Sequence, residues 1–186
     1  MAWIDTIAPD RAEGELTELY RAIGSARGGV ADVHRVQSLN PRALKAHLEI
    51  YKAVVFARSP LGRATRERIA VVVSAANRCA YCVAHHGEAL RQLGESPDVI
   101  HSLGRGEIPG SLPEADQALL RWAATAATEP SRSGEADIVE LRRLGYDDRA
   151  ILDATLTVAY FSFVNRLVLL LGVEVEDDYQ TTCKSQ

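Results

Sequence analysis

Cys79 and Cys82 form a Cys-x-x-Cys pair, followed by His85 and His86. A close dithiol in a chain with no visible secretion signal points to redox chemistry or metal binding rather than a structural staple. Periodicity places these residues on a helix over 79–93, after another over 63–77. At ~100° per residue, Cys79 lies about 60° and His86 about 40° from Cys82, so the three share a face. His85 lies about 60° to the other side of Cys82. An i,i+3 spacing leaves the two Cα atoms ~5 Å apart, within disulfide range. A free thiol of pKa ~8.5 is about 3% ionised at pH 7, and lowering that pKa by about two units takes ~2.7 kcal/mol. A helix N-terminus supplies part of this, and an imidazole four residues on can accept the proton. Cys82 is therefore expected to be the more activated thiol, with His86 as its base and Cys79 as its partner.

The same side chains admit other chemistry. Cys79, Cys82 and His86 could ligate zinc, with Glu67 or His85 as a fourth ligand, although no second Cys/His pair supports it, and the reading is no metal. Glu67 could simply pair with Arg63 at i,i+4 on a solvated face, worth a few tenths of a kcal/mol. Tyr81 reads as a packing or gating side chain and His85 as a supporting one. His34, His47 and His101 read as structural, and Cys183 as a tail thiol. Asn165-Arg166 reads as a polar pair holding a helix in register.

The elements that must position this motif are helical. Leu16, Leu19, Tyr20 and Ile23 repeat at helix spacing, as do Leu44, Leu48, Tyr51 and Val55, then Ile69, Val72, Val73 and Ala76, then Leu119, Trp122, Ala123 and Ala126. Gly and Pro punctuate the boundaries, and short β-type alternation is absent. The prediction is one all-α domain over 1–186 with seven or eight helices and a polar tail over 175–186. The last helix, about 148–171, is apolar around nearly its whole circumference, which calls for burial in a core or against another subunit, and a homo-oligomer is expected.

Length and charge bound the function. The chain has 186 residues with Lys+Arg 21 against Asp+Glu 25, a net charge of −4. A mildly acidic chain without a basic block is a poor nucleic-acid ligand. No signal peptide is visible, the apolar runs 70–76 and 167–173 are short of the ~20 residues a span needs, and a cytoplasmic protein is expected. No glycine-rich nucleotide loop is present, so direct use of a nicotinamide cofactor is not expected.

Glu67, eleven residues, Cys79, two residues, Cys82, three residues, His86 resembles the core motif of the alkylhydroperoxidase AhpD family, Glu-x11-Cys-x2-Cys-x3-His. Trp3-Ile4, Ser38-Leu39-Asn40-Pro41, the run Tyr81 to His86 and Asn165-Arg166 look like the peroxidase-related branch. The resemblance spans nearly the whole chain. It implies an all-α fold of the carboxymuconolactone-decarboxylase-like superfamily, trimers or hexamers, and thiol-dependent peroxide reduction. It also implies roles: Glu67 as relay carboxylate, His86 as relay histidine, Cys82 as the thiol it activates and Cys79 as the second redox cysteine. Tyr81 stands where the family has a further relay histidine. No bound cofactor is implied, but an external dithiol reductant is, of lipoyl type. The rival readings are a non-catalytic redox sensor or zinc-binding protein, and a carboxymuconolactone-decarboxylase-like lyase, whose chemistry needs no dithiol.

Overall fold

A computed structural model describes residues 2–182. Among them are nine α-helices and no strand. The helices are α1 (Gly14–Arg27), α2 (Asp32–Arg35), α3 (Pro41–Tyr51), α4 (Arg63–Ala76), α5 (Ala80–Gln92), α6 (Pro97–Gly104), α7 (Glu114–Thr128), α8 (Glu135–Arg143) and α9 (Asp148–Leu170). The all-α prediction holds, while the expected seven or eight helices become nine among the described residues. The single turn α2 is too short to carry a periodic signal. Starts are set by local chemistry: Asn40, Ser96 and Asp147 each accept a backbone N–H two or three residues into their helix, and Pro41 and Pro97 open two of them.

α4 is the axis of the molecule. Its Ile69, Ala70, Val71, Val72 and Val73 are all buried, and it packs on α5, α6, α7 and α9. A five-residue π-type turn, Lys52–Phe56, continues α3, and Arg66 reaches back to cap it, donating from Nη1 to the carbonyls of Val54 and Ala57 at 3.0 Å each. The turn from α4 into α5 is tight. Arg78 takes a left-handed φ of 58°, and the Cys79 N–H donates to Ser74 O at 2.8 Å. Cys79 is thereby the residue that caps α5 rather than one inside it.

α9 is long and apolar enough to cross a membrane by length and composition, but more than half of its most apolar stretch, 56%, is buried inside the protein, which makes it a core helix. Phe161 is buried edge-on against the His86 ring, centroids 4.5 Å apart. Truncating such a residue to Ala costs about 3–5 kcal/mol. Leu152, Leu156, Phe163 and Leu170 remain exposed on the outer side. α9 stops at Gly172, whose φ is +64° and where any Cβ would run into the Trp3 ring. The Trp3 N–H donates to Leu171 O at 2.8 Å. From there the chain turns back across α2 and α5. Cys183 lies outside the described residues.

Candidate active site

Cys79 and Cys82 are both free thiols and both buried, 0% and 2% exposed. Cys79 sits where α5 begins, so the unpartnered N–H groups of Tyr81 and Cys82 point at its sulfur. The hydrogen bond from the Cys82 thiol holds the Cys79 pKa down. Burial opposes this, and the backbone N–H of Cys82, the Asn165 amide and the backbone N–H of Tyr81 add to the lowering. Cys82 goes the other way: its bond to Cys79, burial and the charge on Cys79 push it well up, against hydrogen bonds from Asn165 and Ser74. The expectation that Cys82 is the more activated thiol is therefore not what this geometry gives. The helix terminus acts on the capping residue, which is Cys79, and the first ionisation belongs to the pair, with Cys82 holding the remaining proton.

Glu67 is fully buried, not on a solvated face. Its i,i+4 bond to Arg63 exists, with Oε1 accepting from Nε at 2.8 Å and from Nη2 at 2.5 Å. Its other oxygen, Oε2, lies 2.6 Å from His86 Nδ1. Burial alone would raise this carboxyl. The facing His86 and the Arg63 guanidinium more than reverse that, and the pKa lies below the usual carboxylate range. Arg63 also stacks on the Phe56 ring, 3.8 Å from its centroid. The carboxylate thus fixes the imidazole with Nδ1–H toward Oε2, leaving Nε2 as an acceptor.

His86 and Cys82 border one small cavity of about 30 Å³. That is room for about one or two water-sized groups. His86 makes no hydrogen bond to Cys82 among the described residues; they meet across this space. His34, His47 and His85 line it too, with Arg27, Tyr51, Tyr81 and Tyr160. Burial holds His34 well below its ordinary pKa and His47 at about 4, so both rings are neutral. The His47 Nε2 lies 2.7 Å from the Tyr160 hydroxyl, and the Arg27 Nη1 donates to the Tyr51 hydroxyl at 2.8 Å. Cys79 instead lines a separate, shallower depression of about 320 Å³ with Ala75, Arg78, Ala80, Val83, Ala84 and Gly104.

The structure brings Glu67, Cys79, Cys82 and His86 together, with Tyr81 and His85 beside them. It adds residues that the sequence reading placed elsewhere. His34 and His47 are cavity walls. Asn165, fully buried, donates to Ser74 Oγ at 3.0 Å and accepts from Asn77 at 3.0 Å, besides reaching both sulfurs. Its neighbour Arg166 is exposed and donates within α9, to Ser162 O at 2.7 Å. Glu176, from the segment read as polar tail, accepts from Tyr81 and lies against His85. Among the described residues no cluster of three or more His, Cys, Asp and Glu side chains is arranged to hold a metal ion.

Residues 41–125, from α3 through most of α7, match the Carboxymuconolactone decarboxylase family. The fold is similar over its whole length to solved structures. One, from Ralstonia eutropha JMP134, is described as an alkylhydroperoxidase AhpD core and an uncharacterized peroxidase-related protein, with TM-score 0.88, 23% identity, and coverage of 99% of this chain and 97% of that one. A second, an uncharacterized peroxidase-related protein from Silicibacter sp. TM1040, has TM-score 0.85 and 26% identity over 98% of this chain and 96% of that one. The debrominase Bmp8, solved with 2,3,4-tribromopyrrole, has the same fold at TM-score 0.79 and 18% identity, covering 98% and 97%. The fold therefore hosts more than one activity, and the reaction has to be argued from the site. The family match covers the motif-bearing helices α4 and α5, and the whole fold is similar to those of proteins described as AhpD-like and peroxidase-related.

Proposed function

We propose that the chain is a dithiol peroxidase. The observation that carries this reading is the hydrogen-bonded Cys79–Cys82 thiol pair at a helix start, with the Glu67-bound His86 and Cys82 bordering one small cavity. A peroxide needs only a few atoms of room, one ionised sulfur and a proton for the departing oxygen. The small cavity, the dithiol and the Glu67-held His86 suit these three needs. Cys82 borders the cavity, so it meets the peroxide once its proton has passed to His86 Nε2. Its sulfur attacks the O–O bond, forming S–OH and expelling RO⁻, which takes a proton from His86. The Cys79 thiol then attacks the sulfenic sulfur, forming the disulfide and releasing water. An external dithiol, of lipoyl type by family resemblance, returns two electrons and two protons. The open depression at Cys79 suits that exchange, because it leaves the cavity side undisturbed.

The test is thiol titration of metal-free protein before and after stoichiometric peroxide, with mass mapping of the cysteines. The expected result is loss of two thiols per chain as a Cys79–Cys82 disulfide, regained with a dithiol. Thiols that stay reduced overturn the reading and favour the lyase. Oxidation without turnover favours a sensor.

The working protein is proposed to be a homo-oligomer in a reducing, cytoplasmic setting. Leu152, Leu156, Phe163 and Leu170 recur at helical spacing on the exposed side of α9, which suits a second copy. Sedimentation should give a trimer or hexamer for the parent chain, and Phe163→Glu should shift it toward monomer. A monomeric parent would end this part of the proposal.

A further inference from the structure

Arg78 stands immediately before Cys79, in a backbone shape that suits other residues better. With φ at 58° it is the non-glycine residue in the left-handed region among the described residues, where glycine or asparagine would sit with less strain. The turn itself is made by the backbone: the Arg78 N–H donates to Ala75 O at 2.9 Å and the Cys79 N–H to Ser74 O at 2.8 Å. The guanidinium is exposed and, among the described residues, has no hydrogen-bond or ion-pair partner. A strained position occupied by a charged side chain with no internal partner points to a task outside the fold.

The place of that side chain says what the task is. Arg78 lines the depression of about 320 Å³ that reaches Cys79, with Ala75, Ala80, Val83, Ala84 and Gly104 as the other walls. Among the described residues that line it, Arg78 is the charged one. Cys79 lies beneath, 0% exposed, and no uncharged wall residue is larger than valine. A slender arm carrying a thiol suits such an opening better than a flat protein surface, and an arm with an anionic group meets its counter-charge at the rim. The Cys79 pKa is lowered by the Cys82 thiol, against burial, with the helix-start N–H groups and Asn165 adding to it. None of these is Arg78, which is left for recognition rather than activation.

Resting on the dithiol cycle proposed above, we propose that Arg78 is a specificity-determining residue for the reductant, and that the reductant is a small dithiol bearing a carboxylate, held at the rim by the guanidinium while a thiol reaches Cys79. The step is Cys79–S–S–Cys82 + R(SH)₂ → Cys79–SH + Cys82–SH + RS₂. A thiolate of the reductant attacks the Cys79 sulfur, the Cys79–Cys82 bond breaks, and Cys82 leaves as a thiolate that takes up a proton. The second thiol of the reductant then attacks its own sulfur in the mixed disulfide and frees Cys79. The reductant ends as a cyclic disulfide, and the protein has gained two electrons and two protons. The carboxylate forms no bond in this sequence; it contributes a screened attraction at the surface. A free lipoyl acid has that carboxylate, whereas a lipoyl group joined to a lysine as an amide has lost it, so the acid and the amide probe the charge with the dithiol unchanged.

The experiment starts from the full chain with its Cys79–Cys82 disulfide formed by diamide, so that it does not depend on peroxide. Second-order rates of thiol recovery are measured with dihydrolipoate and with dihydrolipoamide at low and high salt. The proteins are the parent, Arg78→Gly, Arg78→Asn, Arg78→Lys and, as an equal change of net charge elsewhere, Arg121→Gln. Glycine and asparagine suit the left-handed backbone, so both variants should keep the fold. The parent should react faster with the acid than with the amide, and less so at high salt. The acid-to-amide rate ratio should fall about two- to fivefold in Arg78→Gly and Arg78→Asn, and stay near the parent value in Arg78→Lys and Arg121→Gln. A ratio unchanged in Arg78→Gly, a parent that prefers the amide, or an equal fall in Arg78→Lys or Arg121→Gln overturns the proposal. Thiols that diamide closes but peroxide leaves reduced overturn the peroxidase reading alone, and a disulfide that neither dithiol reduces ends both.

Discussion

The two carboxylate–imidazole pairs that border the Cys82 cavity are built in different ways. Glu67–His86 joins neighbouring helices in the packed centre, with Arg63 one turn from the carboxylate and Phe161 against the ring. Glu176–His85 joins α5 to a segment 91 residues away that holds its place through hydrogen bonds to Tyr81 and Asp32. The first carboxylate is fully buried, while the second keeps some solvent contact, its side chain 14% exposed. The central pair is therefore held by the core, and the peripheral pair by the order of one crossing strap.

The largest effect should come from removing the thiol in the cavity that both pairs border. Cys82→Ser is expected to abolish peroxide turnover, measured by steady-state peroxide consumption with a dithiol; a parent-like rate would remove Cys82 and the comparison with it. Next is Glu67→Gln, expected to lower turnover about 10²-fold, the low end for loss of a positioned proton acceptor, with circular dichroism unchanged. An unchanged rate and thiol pKa would reduce Glu67 to a partner of Arg63.

Acid should separate the regions by stability. His47 is held at about 4 by burial, against 6.5 unfolded, so the unfolded chain takes up its proton first as pH falls. Stability present above pH 6.5 is lost between 6.5 and 4, by up to about 3 kcal/mol. Burial raises the Glu176 carboxyl, but the His85 ring and the Asp32 N–H overcome this and hold it down to about 2. Its contribution is present above about pH 4.5 and fades toward pH 2, so the strap should loosen after the His47 step. Urea unfolding at stepped pH checks the first loss, and amide exchange around residues 174–182 checks the second. A strap that opens first would reverse the order.

How much of this was legible in the sequence follows from how each contact is made. Helices with a sustained apolar period, such as α4 and α7, announce themselves, because the period is local. Glu67, Cys79, Cys82 and His86 were legible through their spacing. Asn165, reaching Asn77 across 88 residues, and Tyr160, reaching His47 across 113, have no periodic signal, since packing alone brings them together. Glu176 was missed because a polar segment with little apolar content reads as tail. A carboxylate there is visible only once the turn at Gly172 sends the chain back over α5. That the pKa of Cys79 rather than Cys82 is lowered follows first from the hydrogen bond Cys82 gives it and then from its place as the cap of α5 rather than inside it, one residue of helix boundary.

The strap also has a consequence for synthesis. A chain made from its N-terminus at ~5–20 residues per second presents both cysteines roughly 5–20 s before Glu176 emerges, because 91 residues separate His85 from that carboxylate. During this interval α9 and the strap are missing, and the thiols face whatever surrounds the ribosome. The nascent protein thus passes through a stage in which the dithiol is open to adventitious oxidation, and a reducing environment at the site of translation protects it until the cavity closes.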